Sequence, residues 1–520
     1  MTYRQLLGGN ANFRHLWSGQ VVSEIGDWLN NIAVLALVLE LAGTAHEGRA
    51  IAVYAIARHL PLFLFGPIAG VVVDRTDRRR VMIAADVARA VLAAGFLLAQ
   101  QFSSLPAIYT VGASLFAVSA FFNAAKRATI PVIVTGAEEL LGANSLSAST
   151  TAATIAVGSA LGGLVATFIS RDLVFVLNAF TFLVSALLIS RIRLPARARR
   201  EQQQPDPQPV AAQTSDLAAA IQTSNLAAAQ ASDFAAAQTS DSATTQASDS
   251  ATAQATDSAT AQASVVAIAP TAAHVADATA RAAMHKRLAA GLRRAFYEFR
   301  EGLRYVRRDG VLSAVFLVAA GWGLGNGVAR ALYSVFGARL GELTASAWAA
   351  RPRDFGISVL FVAMGAGGVL GAPVARRFNN AAGDSLGARM GRSLVLDGCG
   401  LALFTVMPNL WTASLVLIAR EMNFAIWWTA QQTLVMRRTD NAYAGRVFAS
   451  YETLTTLMMV SSMYAAGASA DAFGLRPVAA AGGFVIAFSG LLWFLLRRRR
   501  RRRALPVAPD AATDAQRLST

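Results

Sequence analysis

The sequence holds one cysteine, Cys399, so an internal disulfide and a cysteine-built metal centre are both excluded. Charge is scarce as well. Only 15% of the residues are Asp, Glu, Lys or Arg, where a soluble chain of this length carries about 25%. No stretch reads G-x-x-x-x-G-K-[ST], so phosphate-bond energy is not spent within this chain, and neither a cofactor nor an enzymatic activity is expected. The first apolar run has full spanning length and no A-x-A-like site after it, so no cleaved leader is expected.

What the sequence has instead is apolar length. Hydrophobic runs fall at about 17–41, 51–73, 81–101, 107–125, 148–169, 173–190, 311–336, 356–375, 393–408, 411–434, 447–470 and 477–496. Each is near the length at which a helix rising 1.5 Å per residue crosses a hydrocarbon core of about 30 Å. Six lie on either side of a long polar interruption. The expected fold is therefore an all-α membrane protein, with twelve transmembrane helices in two six-helix pseudo-symmetric bundles, 1–190 and 311–496.

The net charge of +16 raises the question of nucleic acid, and its placement answers it. With the N-terminus inside, the short inner segments hold 22 Lys and Arg against 6 in the outer loops, leaving out the long central loop and the far tail. The inner set counts Lys126 and Arg127 as loop residues, together with the run Arg497–Arg503. Such a bias predicts a multi-pass protein of the bacterial inner (plasma) membrane with both termini cytoplasmic. The arginine run reads as a stop-transfer anchor at anionic headgroups, opening an arginine-rich tail at 497–520. No nucleic-acid partner is expected.

Residues 191–280 change character. From Gln213 to Ser264 units of eight or nine residues repeat, among them QTSNLAAA, QASDFAAA and QASDSATA. That period fits neither a 3.6-residue stripe nor a heptad seam, and alanine supplies most of the apolar content. Such a segment cannot bury enough to offset its ordering entropy, and it reads as a disordered cytoplasmic linker. In 281–310 the residues Leu288, Leu292, Phe296, Phe299 and Leu303 recur among Arg and Lys, which predicts a basic amphipathic helix on the membrane surface.

Polar residues inside the spans come next, because a charge at the centre of a spanning helix costs about 2.5–3.5 kcal/mol on insertion scales. In the first span Gln20, Glu24, Asp27 and Asn31 fall within about 60° of one another at 100° per residue. They read as a water-accessible lining, with a hydrogen-bond cluster between helices as the static alternative. In the seventh span Trp322, Asn326 and Tyr333 share a face beside Arg330. In the tenth, Glu421, Trp428 and Gln432 do so, flanked by Arg420 and Trp427. Aromatics beside carboxylates suit an amphipathic or cationic ligand. Glu24, Asp27 and Glu421 are candidate proton carriers, with Arg58 or Arg330 as alternative ion-pair partners for Asp27. Gly158-x-x-x-Gly162 and Gly163 mark close packing between sliding helices.

The turn after the second span reads G70-V-V-V-D74-R75-T-D77-R78-R79. It resembles the signature loop of the major facilitator superfamily, G-x-x-x-D-R-x-G-R-R, with Asp77 where the general pattern has glycine. NFRHLWSGQVVSEIGDWL, RHLPLFLFGPIAGVVVDR, NAAKRATIP, ELLGANSLSAS and GLRYVRRDG are similar to landmarks of its drug- and siderophore-exporting branch, the macrolide-efflux and enterobactin-exporter-like members. The resemblance implies a proton-coupled secondary exporter of small amphipathic compounds, monomeric, working by alternating access. An importer or lipid transporter on the same fold is the alternative, and a non-transporting scaffold or sensor is the alternative of another class. It also implies a cytoplasmic latch made by Gly70, Asp74, Arg75, Arg78 and Arg79, for which Asp86 and Arg89 are candidate partners. In the second half G371-A-P-V-A375-R376-R377 echoes the loop after the eighth span without its aspartate.

The charge bias has a direct test. In a Cys399→Ala background, cysteines placed at Ser240 and Thr520 should resist membrane-impermeant thiol reagents in intact cells. Ready labelling at either site would invert the orientation.

Overall fold

The computed structural model describes residues 3–134, 136–193, 296–379 and 384–504, and among these it contains helices and no strand. In the first half they are α1 (Tyr3–Gly9), α2 (Ala11–Ala42), α3 (Glu47–Val73), α4 (Arg78–Gln101), α5 (Leu105–Ile133), α6 (Gly136–Phe168) and α7 (Arg171–Ser190). A helix at 296–308, α8, precedes α9 (Gly310–Ala345), α10 (Pro352–Asn379), α11 (Asp384–Thr405), α12 (Leu410–Arg438), α13 (Asn441–Phe473) and α14 (Leu475–Ala504). The octad repeats and residues 281–295 lie outside the described residues.

Twelve of these helices are long enough to span, and nine meet a hydropathy threshold as well. The three that miss it are α11, α12 and α13, which carry Asp397, the Arg420–Glu421 pair and Glu452. Short polar turns start the helices by supplying acceptors for first-turn N–H groups. Asn10, Ser104, Ser170 and Asn409 accept from the backbone three residues on, and Asp309 accepts from Val311 and Leu312. Asp77 does the same for α4, accepting from Arg79 N and Arg80 N. The departure from glycine at this position therefore serves as a helix cap.

Packing within the halves repeats. α2 packs on α6 and α7, α3 on α5, and α4 on α5 and α7; in the second half α9 packs on α13 and α14, α10 on α12, and α11 on α12 and α14. Two six-helix bundles related by an internal repeat result, and they form one compact unit. A second unit, Ala235–Tyr297, lies outside the described residues except for Phe296 and Tyr297, which are helical and exposed. From Phe299 onward α8 lies on α13. Ser450 donates to Phe299 O at 3.1 Å, Arg446 pairs with Glu301 at 3.3 Å, and Tyr305 stacks on Tyr443 at 4.7 Å.

The halves meet along α6–α10 and α3–α13. Their polar ties gather at the end opposite the arginine-rich turn 75–80. Arg171 of α7 grips Asp354 of α10 through two bonds of 2.8 and 2.7 Å and also pairs with Glu40. Glu47, 2% exposed, receives both Arg339, at 3.2 Å, and Arg353. Arg351 donates to Ala166 O at 3.0 Å. Asp471 of α13 accepts from Gly48 N at 2.8 Å and Arg49 N at 3.0 Å, and so caps α3, whose own N-cap residue His46 makes no side-chain bond. Close backbone approach permits this seam, since a Cβ on Gly467 would lie 2.3 Å from Gly48 O.

Three expectations change. The hydropathy runs end short of the helices, so Lys126 and Arg127 lie inside α5 rather than in a loop. Arg497–Arg503 continue α14 as helix instead of starting a tail. The GAPVARR stretch is the interior of α10, where Gly371 faces Ala425 and Met422 of α12.

Gly158 and Gly162 press against the α2 backbone within their own bundle, where a Cβ on Gly162 would lie 2.6 Å from Leu29 O. Gly163, the next residue, instead faces Ser358 of α10 in the other half. Gly162→Ala should overpack the first bundle by about 1–3 kcal/mol and lower the unfolding temperature of detergent-purified protein. Gly8→Ala, with nothing within 4 Å of the new atom, should leave it unchanged.

Candidate functional site

The stripe on α2 stays on one face and meets cations from its own bundle. Glu24 accepts from Gln20 at 2.8 Å, Thr154 at 3.1 Å and Thr151 at 3.2 Å, and lies 3.6 Å from Lys126 Nζ. Three residues on, Asp27 lies 3.8 Å from Arg89 of α4. Asn31 accepts from Arg58 of α3. Glu24, Asp27 and Asn31 thus each have their own basic or hydroxyl neighbour, while Gln20 donates to Glu24. Gln20 and Asn31 are buried, while Asp27 keeps 28% of its side chain exposed.

Arg89 has a second and tighter partner in Asp86, one helical turn before it, which is wholly buried. Its guanidinium lies between the rings of Phe122 and Phe182, 4.1 and 4.4 Å from their centroids. Aromatic faces attract a desolvated cation, so this pocket holds the charge from several sides. Asp86 and Arg89 are consequently committed inside the bundle and do not reach the 70–80 turn.

Arg58 stands in different company. Its guanidinium lies 5.0 Å from the Trp28 ring and 5.1 Å from the Phe116 ring. Among the described residues no carboxylate lies within ion-pair distance of it, and its polar partner is Asn31. Pro61, three residues on, has no N–H for the Ala57 carbonyl, so the helical ladder of α3 is interrupted beside Arg58.

The second half builds a parallel arrangement with different helices. Arg420 of α12, 4% exposed, sets its Nε 3.0 Å from Asp397 Oδ1 and donates from Nη2 to Oδ2 at 3.2 Å. It also donates to Tyr333 and, at 3.4 Å, to Asn326 of α9. Glu421 is 3.5 Å from the same guanidinium. Arg330 is half-buried, and among the described residues it makes no ion pair or hydrogen bond. Trp428 and Trp427 are 4% and 1% exposed, packed with Trp322 and Phe424 at centroid distances of 4.5 to 6.4 Å. This aromatic block lies inside the bundle. Gln432 beside it keeps both amide atoms without a hydrogen-bond partner among the described residues.

Sequence reasoning therefore found Asp27, Glu24, Glu421 and their stripes, and placed Arg420 only as a flank. It passed over Asp397, although a lone aspartate within the apolar run 393–408 was a usable signal. The nearest cation to Asp27 is Arg89, rather than Arg58 or Arg330. The five residues of the turn motif lie apart from this site. Asp74 and Arg75 are exposed, Arg78 donates to Ala128 O of α5 at 2.7 Å, Arg79 is half-buried, and Gly70 has no neighbour within 4 Å of an added Cβ. No group of three or more His, Cys, Asp or Glu among the described residues is placed to hold a metal ion.

Comparison with known proteins gives a consistent picture. The sequence model of the Major Facilitator Superfamily matches residues 16–463. Over 186 residues the chain is 33% identical to BacE of Bacillus subtilis (strain 168), named as a bacilysin exporter, covering 35% of this chain and 44% of that protein. Macrolide efflux protein A of Streptococcus pyogenes is 26% identical over 193 residues, 36% of this chain and 46% of the other. The matched stretch thus spans less than half the length of these relatives. Among solved structures, the human organic anion transporter MFSD10 (TETRAN) aligns over 92% of this chain and 99% of its own, at 13% identity and a TM-score of 0.49.

The buried pairs predict an ordering of mutational effects. Asp397→Ala strands Arg420 without its main counter-charge, a loss of about 3–5 kcal/mol for a broken buried pair. Folded yield and unfolding temperature should fall sharply. Glu421→Gln, at the longer distance, should leave both near wild type. Equal effects in a detergent thermal-unfolding assay would contradict this assignment.

Proposed function

Because the chain belongs to the major facilitator superfamily, we propose that it is a proton-coupled exporter of small amphipathic compounds of the drug or siderophore class. The observation that carries this reading is the α2 stripe. Asp27 and Glu24 sit in mid-span, partly exposed, each with one basic neighbour at the outer limit of pairing distance. Asp27, whose one partner is Arg89 at 3.8 Å, can exchange that neighbour for a proton or for a cationic group of a ligand at low cost, whereas Glu24 is further held by Gln20, Thr151 and Thr154. Export is favoured over import by the names of BacE and macrolide efflux protein A.

Transport follows from two bundles rocking about the site. The ties from Arg171 to Asp354 and from Glu47 to Arg339 and Arg353 hold one end closed. Opening that end requires them to part. In the opposite state the exposed Asp74 and the arginines at 75, 78 and 79 act as the corresponding latch, with Gly70 allowing close approach. The protein works as a monomer in a bacterial inner membrane, with both termini cytoplasmic.

Two measurements test this. A deletion strain should accumulate at least one of a macrolide, a siderophore or ethidium, and the plasmid-borne gene should reverse it. In proteoliposomes, Asp27→Asn should abolish efflux driven by a pH gradient while retaining downhill exchange of the same compound. Gradient-driven efflux at the wild-type rate from folded Asp27→Asn protein would remove Asp27 from the coupling path.

A further inference from the structure

On the side away from the ties at Arg171 and Glu47, the second bundle ends in a cavity that the transport reading does not use. Four helices wall it: the starts of α9 and α11 and the ends of α12 and α14. Its volume is about 220 Å³, below the roughly 300–1,000 Å³ of pockets that hold drug-sized ligands. It is therefore no second chamber for a transported compound. Ala314, Leu434 and Leu496 give it an apolar side, and Arg437, Arg438 and Arg497 a basic one. Among the described residues no carboxylate lines it. Asp309, which caps α9, lies 3.9 Å from Arg438, at the limit of pairing, so one acid stands beside three cations.

Trp493 lines the same cavity and is fixed in place. An added Cβ would lie 2.6 Å from its ring at Gly391 and 2.8 Å at Gly387, so these glycines form the slot on α11 that holds the indole. The same point at Gly387 is 3.6 Å from an Arg497 nitrogen, which sets that guanidinium beside the ring. Trp493 is 5% exposed, and its N–H has no hydrogen-bond partner among the described residues. A buried donor left open beside three guanidiniums calls for an acceptor with several oxygens.

Depth and lining identify what carries that acceptor. The arginines follow directly on the apolar runs of α12 and α14, where a helix passes from hydrocarbon to headgroups. Leu491 and Leu495 of α14 are more than half exposed, and on a spanning helix such residues face acyl chains. A hydrated free anion gains nothing from Ala314, Leu434 and Leu496. A phosphodiester joined to glycerol and methylenes meets both sides of the cavity.

We propose that the cavity seats the headgroup of one anionic phospholipid, its phosphate held by Arg437, Arg438 and Arg497 and its glycerol end against the apolar side. Basic pockets between spanning helices suit such headgroups. The lipid bridges α12 to α14 and offsets the mutual repulsion of their arginines. It is a single seated molecule, in contrast to the diffuse pull of the arginine run on any anionic surface. The assignment stands whether or not the transport reading does.

The test titrates the full chain in detergent with dioctanoyl phosphatidylglycerol and counts bound lipid by native mass spectrometry. Dioctanoyl phosphatidylcholine and glycerol 3-phosphate are the comparison probes. One phosphatidylglycerol should bind saturably, about tenfold or more tightly than phosphatidylcholine, which has the same chains and no net charge. Glycerol 3-phosphate should fail to displace it at about a hundredfold excess. Arg437→Gln should weaken phosphatidylglycerol binding about tenfold without changing the unfolding temperature of lipid-free protein, and Arg437→Lys should retain part of the affinity. Arg500→Gln, Arg501→Gln and Arg502→Gln combined remove three charges outside the lining and should leave affinity within about twofold. Equal affinity for the two lipids, or binding that Arg437→Gln leaves intact, overturns the proposal. So does loss of binding in the triple variant, which would make the attraction diffuse. Displacement by glycerol 3-phosphate also overturns it, by making the cavity a site for soluble anions.

Discussion

A hydrocarbon slab offers an ionised side chain no water, so a charge placed within it must be met by protein or by a wet cavity. Two arginines set the arrangement here. Arg89 and Arg420 each lie in mid-span, each held by a buried aspartate, Asp86 or Asp397. Around the first the protein adds two aromatic faces, and around the second a tyrosine and an asparagine. With those anchors fixed, the neighbouring acids can be shared loosely.

The two halves reach this balance by different routes. In the first, acid and base stand one turn apart on α4, so a single helix carries its own compensation. In the second, the acid stays on the matching helix, α11, while the base comes from α12. The internal repeat therefore conserves the position of a charge pair but not the helices that build it. The second version ties α11 to α12 at mid-depth, and it draws α9 in through Tyr333 and Asn326.

Most of the fold was legible in the sequence because the bilayer imposes a length and a composition on every span. The α2 stripe was legible for a related reason, since 3.6 residues per turn aligns Gln20, Glu24, Asp27 and Asn31 whatever surrounds them. What lay beyond reading was which helix supplies each counter-charge. Lys126 looked like a loop residue because hydropathy falls before the helix ends, while the structure carries α5 on to Ile133 and sets the ammonium against Glu24. Trp427 and Trp428 looked like a ligand wall because aromatic residues in mid-span need a reason. Trp322 and Phe424 supply that reason within the bundle. Pairings between distant helices leave no periodic trace, so Asp354 and Arg171, 183 residues apart, could be found only in three dimensions.

One tie at the closed end has an effect on the backbone itself. The first turn of α3 has its free N–H groups satisfied by Asp471 of the other half, so the start of that helix is completed by a residue it must leave whenever the bundles separate. Separation exposes two amides that water then has to satisfy, and the turn at Gly48 and Arg49 loses its cap and frays. Deuterium uptake at those amides thus becomes a clock for the gate. It is slow while the far end is shut and quickens in proportion to the time the end spends open, with no label attached to the transporter.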